Sequence, residues 1–374
     1  MSTTKATSAR TETSVTWPLY SCDDHIDLWA LPPDLWTARL PAARREDGPR
    51  VIDRDGLPTW VVDGRVLGVS GQPTSGANSA LARAGLGTEW QRPAVPELRL
   101  ADMERDGLHS SVIYGPSVLG LPIDDAELKA DCWRVWNDWA AEFNSYAPDR
   151  LAVLPVLPTH SPQAAAAELE RVAGAGHRGA LVYCFEFECG DPEWDRLWAV
   201  AEDTGLPISF HIGGGLDVPA PDSWQAMRFA TLVTMQLARP LSAMVFSGAL
   251  ERHPGLRLVL AEAGLGWVPY VVNRMDVAAR NRKGTVRGYQ LTAAPSETFR
   301  RQVFITFEEE RGGGTFVELV GAERCMWASD YPHADSTFPE SRAAIEESFG
   351  LLSEDDCRRI TADNCRSLYG FSPG

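Results

Sequence analysis

Short, continuous apolar segments rich in β-branched residues recur along the whole chain, and longer stretches with helical spacing separate them. Continuous apolar runs of this kind are typical of strands buried on both faces of a parallel sheet. Eight segments are predicted to be strands: residues 19–23, 111–115, 151–157, 179–184, 207–212, 256–261, 302–307 and 325–329. Their alternation with helices predicts a closed (β/α)8 barrel, the TIM barrel. An open doubly wound sheet is the alternative, but no G-x-G-x-x-G motif follows the first strand.

Helical spacing and turn residues divide the remaining chain. Residues 124–146, 162–173 and 191–204 carry apolar positions three or four apart and end near Pro or Gly. Residues 222–253 are long enough for two helices, and Pro240 predicts the break between them.

An irregular segment of about residues 30–105 follows the first predicted strand. It is rich in Pro, Gly and Arg, and short strands are predicted at residues 58–62 and 65–69. Because structureless loops of that length are uncommon, we expect a small cap inserted at the end of the barrel where active sites lie. Residues 1–18, rich in Ser and Thr, are expected to form a disordered leader, and residues 19–374 a single domain.

Charge and composition exclude several classes of function. The 374-residue chain carries a formal net charge of −16, and such an acidic surface repels nucleic acids and anionic lipid. No run approaches the roughly 18 apolar residues that span a bilayer, so a transmembrane protein is not expected. The seven cysteines form no C-x-x-C pair, which indicates reduced thiols and, by default, a cytoplasmic location.

Candidate metal-binding residues stand at the carboxyl ends of three predicted strands. Asp23 and His25 end the first strand, and because they are two residues apart, their side chains share one face. His211 ends the fifth strand before a run of glycines, and Asp330 follows the eighth. Two carboxylates and two imidazoles suit Zn²⁺, Mn²⁺ or another first-row divalent ion. A lone His or Asp at a strand end more often caps a loop, but the coincidence of three strand ends favours a site.

Aromatic residues near the first two strands offer a surface for a planar substrate. Trp29, Trp36 and Tyr114 could stack on one, and ordinary packing in the core or cap is an equally good interpretation. The tryptophans of residues 133–139 are expected in helix packing, with a subunit interface as the alternative.

Several short motifs are spread over most of the chain, from about residue 20 to residue 371. The most specific are residues 329–333 (SDYPH) and 364–370 (NCRSLYG). The others are residues 23–26 (DDHI), 32–36 (PPDLW), 99–104 (RLADME), 137–139 (NDW), 148–151 (PDRL), 210–212 (FHI) and 253–257 (HPGLR). Together these motifs resemble the amidohydrolase-related family, in the branch that includes aminocarboxymuconate-semialdehyde decarboxylase.

The resemblance implies a (β/α)8 barrel with one divalent metal ion, Zn or Mn, often assembled as a homodimer. Carried over by position, the implied metal ligands are Asp23, His25, His211 and Asp330. The sequence departs from the family pattern in the first strand, which reads Asp-x-His in place of His-x-His. It also departs in the sixth strand, where Glu262 stands at the place of a His in many decarboxylases.

Two reactions are compatible with the resemblance. In hydrolysis, a bound divalent ion lowers the pKa of water toward about 7, and Asp330 moves the proton. Glu262 either supplies a second acid or base or orients a ligand. His211 belongs to the same catalytic set, and His333 either reaches the substrate or orients its loop. The alternative is non-oxidative decarboxylation of a small aromatic or unsaturated carboxylic acid. The missing sixth-strand His favours a hydrolase acting on a small cyclic or aromatic substrate, and a metal-free barrel with a degenerate site is the third interpretation.

Overall fold

Parallel strands form the centre of the computed structural model, which describes residues 14–73, 79–117, 119–214, 223–281, 290–308, 310 and 312–374. These ranges contain eleven strands: β1 (Leu19–His25), β2 (Arg50–Arg54), β3 (Leu57–Val62), β4 (Arg65–Val69), β5 (Leu108–Tyr114), β6 (Leu151–Val153), β7 (Ala180–Val182), β8 (Ile208–His211), β9 (Leu258–Ala261), β10 (Val303–Phe307) and β11 (Cys325–Trp327). Eight of them overlap the eight predicted barrel strands.

The eight parallel strands run in chain order through two sheets. One sheet has the order β1-β5-β6 and the other β7-β8-β9-β10-β11, with parallel pairing throughout. An isolated parallel bridge joins Val156 to Leu181 between the two sheets. On the opposite side, the Asp330 N–H donates to the Asp23 carbonyl at 2.9 Å. The predicted α/β class is confirmed, with each strand connected to the next through helical segments.

Helices surround the parallel strands. Within the described ranges the α-helices are α1 (Leu35–Arg39), α2 (Ala80–Arg83), α3 (Pro96–Asp106), α4 (Ala126–Ser145), α5 (Pro162–Gly174), α6 (Asp195–Thr204), α7 (Trp224–Leu232), α8 (Ala238–Phe246), α9 (Ala249–Arg252), α10 (Val268–Asn281), α11 (Pro295–Gln302), α12 (Gly313–Val320), α13 (Ser341–Phe349), α14 (Glu354–Arg358) and α15 (Asn364–Tyr369). The longest, α4, begins at Asp125, whose side chain accepts from the N–H groups of Glu127 and Leu128. Its three tryptophans, Trp133, Trp136 and Trp139, are all buried within the chain.

The break expected at Pro240 lies elsewhere. A 3₁₀ turn at Val233–Leu237 separates α7 from α8, and Pro240 falls in the first turn of α8. A proline is tolerated there because the first N–H groups of a helix have no intrahelical acceptor.

The stretch Trp224–Phe246 is long and apolar enough to cross a membrane by length and composition alone, which the sequence analysis did not anticipate. Only 28% of its most apolar window is buried. Core helices of soluble proteins pass the same test, so this finding is weak evidence for a membrane span.

The insertion after β1 contains an antiparallel sheet of order β2-β3-β4. Its Trp60 is fully buried and meets Trp36 of α1 edge to face at 5.4 Å between ring centroids. Trp36 Nε1 in turn donates to the Cys132 carbonyl of α4 at 3.1 Å. Buried aromatic contacts therefore hold the insertion against α4.

The chain segment before β1 is described from residue 14 onward, so residues 1–13 of the predicted leader lie outside the described ranges. Val15 and Trp17 are buried, and Trp17 Nε1 donates to Thr361 Oγ1 at 2.9 Å. All seven cysteines lie within the described ranges and are buried and unpaired, as the absence of C-x-x-C pairs led us to expect.

Candidate metal centre

Four predicted ligands lie at the carboxyl ends of strands that meet at one edge of the sheets. Asp23 and His25 belong to β1, and their alternate positions direct both side chains to the same side. His211 is the last residue of β8, and Asp330 follows β11 by three residues. All four residues are at most 3% exposed.

Asp23, His25 and His211 each offer a ligand atom within 4.8 Å of the others, and Asp330 forms a second such group with His25 and His333. His25 Nε2 lies 2.9 Å from Asp330 Oδ1 and 3.4 Å from Asp23 Oδ1. His211 Nε2 lies 3.4 Å from the same Asp23 oxygen. All these atoms are buried, and none has a hydrogen-bond partner among the described residues. Buried polar atoms are normally paired, so convergent unpaired ligand atoms fit a bound divalent cation.

The orientation of His211 suits metal binding. Its Nδ1 lies 2.9 Å from the Ile212 carbonyl oxygen, an acceptor that places the ring proton on Nδ1. With the ring neutral, as metal binding requires, the lone pair of Nε2 would face Asp23, as second-shell bonds arrange in metal-ligating histidines. Burial opposes a charge on this ring, but the Asp23 carboxylate outweighs it and raises the pKa of His211 to about 9. The same negative field would stabilise a bound cation.

Two acidic residues of the site adopt the left-handed backbone conformation that favours glycine. Glu262, directly after β9, has φ 53°, and Asp330 has φ 59°. Asp330 is held by its N–H bond to the Asp23 carbonyl, and the Glu262 N–H donates to Thr306 Oγ1 at 2.7 Å. A non-glycine residue keeps this strained conformation only where surrounding contacts enforce it, and such residues cluster at functional sites.

Two glutamates extend the site toward solvent. Glu262 Oε2 lies 3.4 Å from His211 Nε2, and Glu308 directly follows β10. Oxygen atoms of Glu262, Glu308 and Asp330 are close enough to share a cation. Burial, followed by the Asp330 carboxylate, raises the pKa of Glu262 to about 8 and that of Glu308 well above its usual range. Burial therefore favours the protonated form of each of these carboxyl groups.

His333 connects the metal centre to the cavity. Its Nδ1 lies 2.9 Å from Asp330 Oδ1, its Nε2 lies 3.2 Å from Asp27 Oδ2, and its ring stacks on His25 at 4.0 Å. Burial opposes protonation, but the carboxylates of Asp330 and Asp27 outweigh it and raise the pKa of His333. The ring is thus fixed between two carboxylates at the entrance to the site.

Two cavities of about 420 Å³ each open above these residues and share Leu119, His333 and Asp335. The first has an acidic side with Glu262 and Glu308. Its apolar side consists of Leu119, Ile212, Phe229 and Val233. The second is bounded by Trp29 and by Leu67 and Val69 of β4. Volumes in this range accommodate small-molecule ligands.

The predicted stacking residues lie in different places. Trp29 lines the second cavity, whereas Trp36 is fully buried between the insertion and α4 and cannot reach a substrate. Tyr114 ends β5 and packs against the His211 ring at 5.0 Å. Its hydroxyl pairs with Ser209 Oγ at 2.9 Å, so Tyr114 supports a ligand rather than presenting a stacking face.

Sequence reasoning missed three residues of the site. Glu308 could have been found, because it directly follows the predicted strand 302–307 in the same way as Asp330 follows the predicted strand 325–329. Asp27 and Thr306 carry no such signal, since their roles depend on His333 and Asp23, which are about 300 residues away in sequence.

Comparison with known proteins identifies a family and a curated relative that are similar to this chain in sequence. A family model described as Amidohydrolase matches residues 122–371. A gamma-resorcylate decarboxylase from Rhodococcus jostii (strain RHA1) is 27% identical over 300 residues, covering 74% of this chain and 87% of that protein.

Two solved structures extend the comparison. An amidohydrolase from Mycobacterium avium subsp. paratuberculosis K-10 has a TM-score of 0.77 at 21% identity, covering 96% of this chain and 99% of that one. A dihydroxybenzoic acid decarboxylase from Polaromonas sp. JS666, with bound manganese and the inhibitor 2-nitroresorcinol, has a TM-score of 0.65 at 18% identity, covering 95% and 97%.

These relatives overturn the expectation of a hydrolase. The curated relatives matched by the chain are named decarboxylases, so the hydrolytic interpretation is wrong and the decarboxylase alternative is better supported. The expectation failed because it treated the sixth-strand His as indispensable for decarboxylation. In place of that His the chain carries Glu262, whose carboxyl group has its pKa raised to about 8, chiefly by burial.

Proposed function

Because the chain belongs to the amidohydrolase family, in the branch of aminocarboxymuconate-semialdehyde decarboxylase, we propose that it is a metal-dependent, non-oxidative decarboxylase of a small hydroxylated aromatic acid. The observation that carries this proposal is the group of buried ligand atoms from Asp23, His25 and His211, which shares His25 with a second group that contains Asp330. The names of the curated relatives supply the reaction class.

We infer that the eight parallel strands close into one (β/α)8 barrel. The bridge from Val156 to Leu181 and the hydrogen bond from Asp330 to Asp23 support closure on both sides. The TM-score of 0.77 to a solved amidohydrolase supports the same inference. The β2-β3-β4 sheet would then serve as a cap, since its Leu67 lines the second cavity.

Asp23, His25, His211 and Asp330 would hold one divalent ion, and manganese is the metal named for a structural relative. When bound, such an ion supplies positive charge that stabilises a carboxylate and an adjacent oxygen of the substrate. The mixed carboxylate and imidazole ligands suit Mn²⁺ or Zn²⁺.

The chain itself would supply the proton. A carboxyl group of Glu262 donates to the ring carbon that carries the substrate carboxylate, forming a C–H bond. The C–C bond then breaks, CO₂ leaves, and the electron pair of that bond restores the aromatic ring. Solvent returns a proton to Glu262, which lines the cavity. The apolar side with Leu119, Phe229 and Val233 would bind the ring and exclude water from it.

A direct assay tests the proposed function. Purified protein loaded with Mn²⁺ is incubated with hydroxybenzoic acids, among them 2,6-dihydroxybenzoate, and CO₂ and the aromatic product are measured in D₂O. We expect release of equal amounts of CO₂ and of a product with one deuterium at the vacated ring position. A panel that yields no CO₂ from metal-loaded protein would contradict the proposal.

A pair of variants gives the control for this assay. Asp330→Asn removes a proposed ligand and should abolish CO₂ release. Asp124→Asn changes an exposed carboxylate that only pairs with Arg65 at 3.0 Å, and should leave activity unchanged. Equal activity of the two variants would remove Asp330 from the proposed site.

A further inference from the structure

Thr306 is a buried polar residue in the middle of an otherwise apolar strand, β10. It is fully buried, and its neighbours in the strand are Ile305 and Phe307. A hydroxyl group in such a place must find partners inside the protein. Both of its partners belong to the candidate metal centre, although one lies 283 residues away in sequence.

The direction of each bond is determined by the partners. The Glu262 N–H donates to Thr306 Oγ1 at 2.7 Å, which occupies a lone pair of the hydroxyl. The hydroxyl hydrogen then donates to Asp23 Oδ2, also at 2.7 Å. Because Asp23 Oδ2 is engaged, the other oxygen, Oδ1, is the one that faces the two imidazoles.

We propose that Thr306 is a positioning residue that orients the metal ligand Asp23 and, through the same hydroxyl, fixes the left-handed backbone of Glu262. The inference rests on the proposed metal-dependent function. Thr306 contacts neither a metal nor a substrate in this account, but acts through the two acidic residues. Supporting hydrogen bonds of this kind typically change metal affinity by about 10–100-fold when they are removed.

The consequence for Glu262 is separate from the consequence for Asp23. A left-handed φ of 53° at a non-glycine residue is disfavoured unless contacts enforce it. Besides the Thr306 hydroxyl, the Thr306 carbonyl accepts from the Gly264 N–H at 3.2 Å. Loss of the hydroxyl therefore loosens the turn that aims the Glu262 carboxyl group into the cavity.

The test compares three variants in Mn²⁺ binding and turnover. Thr306→Val keeps the shape of the side chain and removes the hydroxyl, whereas Thr306→Ser keeps the hydroxyl. Thr298→Val is the matched control, because Thr298 is a buried threonine of α11 whose Oγ1 has no hydrogen-bond partner among the described residues. Mn²⁺ dissociation constants are measured by calorimetry and by electron paramagnetic resonance of the free ion.

We expect Thr306→Val to weaken Mn²⁺ binding by about 10–100-fold, with Thr306→Ser and Thr298→Val within about threefold of the parent protein. At saturating Mn²⁺, kcat of Thr306→Val should still fall about tenfold, the effect of roughly one hydrogen bond in the transition state. If Thr306→Val does not fold, Thr306→Ala is compared with Thr306→Ser in the same way.

Two outcomes would overturn the inference, and they are distinguishable. Parent protein that binds no Mn²⁺ would refute the proposed function together with the role of Thr306. The role of Thr306 alone would be refuted if the parent protein binds Mn²⁺ and Thr306→Val binds it with the same affinity. The same conclusion would follow if Thr306→Ser binds Mn²⁺ as weakly as Thr306→Val does. A purely structural role would change the unfolding of metal-free protein without changing Mn²⁺ affinity.

Discussion

The buried ion pair between Arg99 and Asp24 lies next to the candidate metal ligands Asp23 and His25 and gives the most specific stability prediction. Arg99 Nη2 lies 3.1 Å from Asp24 Oδ2, with both side chains at most 1% exposed. Arg99 Nη1 also donates to the carbonyl of His25 at 2.8 Å. The guanidinium carbon lies 4.7 Å from the centre of the Tyr331 ring. We predict that Arg99→Met strongly destabilises the protein.

The magnitude follows from burial. Removal of Arg99 leaves the Asp24 carboxylate in the interior without its countercharge, and breaking a buried pair in this way costs about 3–5 kcal/mol. The control is Arg39→Met, which removes an exposed pair with Glu142 at 2.7 Å. Exposed pairs contribute about 0–1 kcal/mol, so the two substitutions should differ by several-fold in their effect on the free energy of unfolding.

The loss should also depend on pH. Burial raises the pKa of Asp24 to about 6, although Arg99 opposes this shift. A carboxyl group whose pKa is higher in the folded state than in the unfolded state stabilises the fold at pH values below the unfolded-state pKa. This stabilisation is lost as the pH rises through the folded-state pKa. Without Arg99 the folded pKa rises further, so the cost of Arg99→Met should grow between pH 4 and pH 7.

The assay is urea unfolding of parent, Arg99→Met, Arg39→Met and the double variant Asp24→Asn/Arg99→Met at pH 4, 5, 6 and 7. The double variant should recover part of the lost stability, because it no longer buries an unpaired charge. A loss from Arg99→Met no larger than that from Arg39→Met, or equal at every pH, would refute the reasoning.

Three further predictions concern the same molecule. His211→Ala should lower Mn²⁺ affinity by more than about 100-fold, which exceeds the effect of losing a supporting hydrogen bond. The control His160→Ala, at an exposed histidine, should leave Mn²⁺ affinity unchanged. Equal metal content of the two variants by mass spectrometry would remove His211 from the site. Burial raises the pKa of Asp106 to about 6 against partly compensating hydrogen bonds from Ser341, so its contribution to stability is lost as pH rises from 4 through 6. Asp106→Asn should therefore gain stability relative to the parent over that interval, and a constant difference in urea unfolding would contradict the assignment. Mn²⁺ at 100 times its dissociation constant should stabilise the folded parent protein by about 2.7 kcal/mol, and a chelator should reverse this stabilisation. A melting temperature that changes with neither Mn²⁺ nor the chelator would argue against a metal site in the folded state.

Local patterns were enough to predict much of the framework. The apolar runs located the eight parallel strands, because burial on both faces leaves a continuous signal in the sequence. The alternation of side chains along a strand placed Asp23 and His25 on one face. The sixth-strand Glu262 was also identified, but its presence led to the wrong reaction class.

Other features depend on contacts that the sequence does not encode locally. Arg99 and Asp24 are 75 residues apart, and only the packing of α3 against β1 and β5 pairs them. The left-handed backbone conformation at Glu262 and Asp330 occurs at non-glycine residues, so the residue types at these positions do not predict it. Asp27 pairs with His333, which is 306 residues away, so no local pattern could identify its role.

Anomalous scattering from crystals grown with Mn²⁺, measured at the manganese absorption edge, would reveal directly whether the four side chains bind one ion. We predict one strong peak within about 2.2 Å of ligand atoms of Asp23, His25, His211 and Asp330. A peak at another place, or no peak in crystals of protein that folds normally, would contradict the claim that these four side chains share one ion.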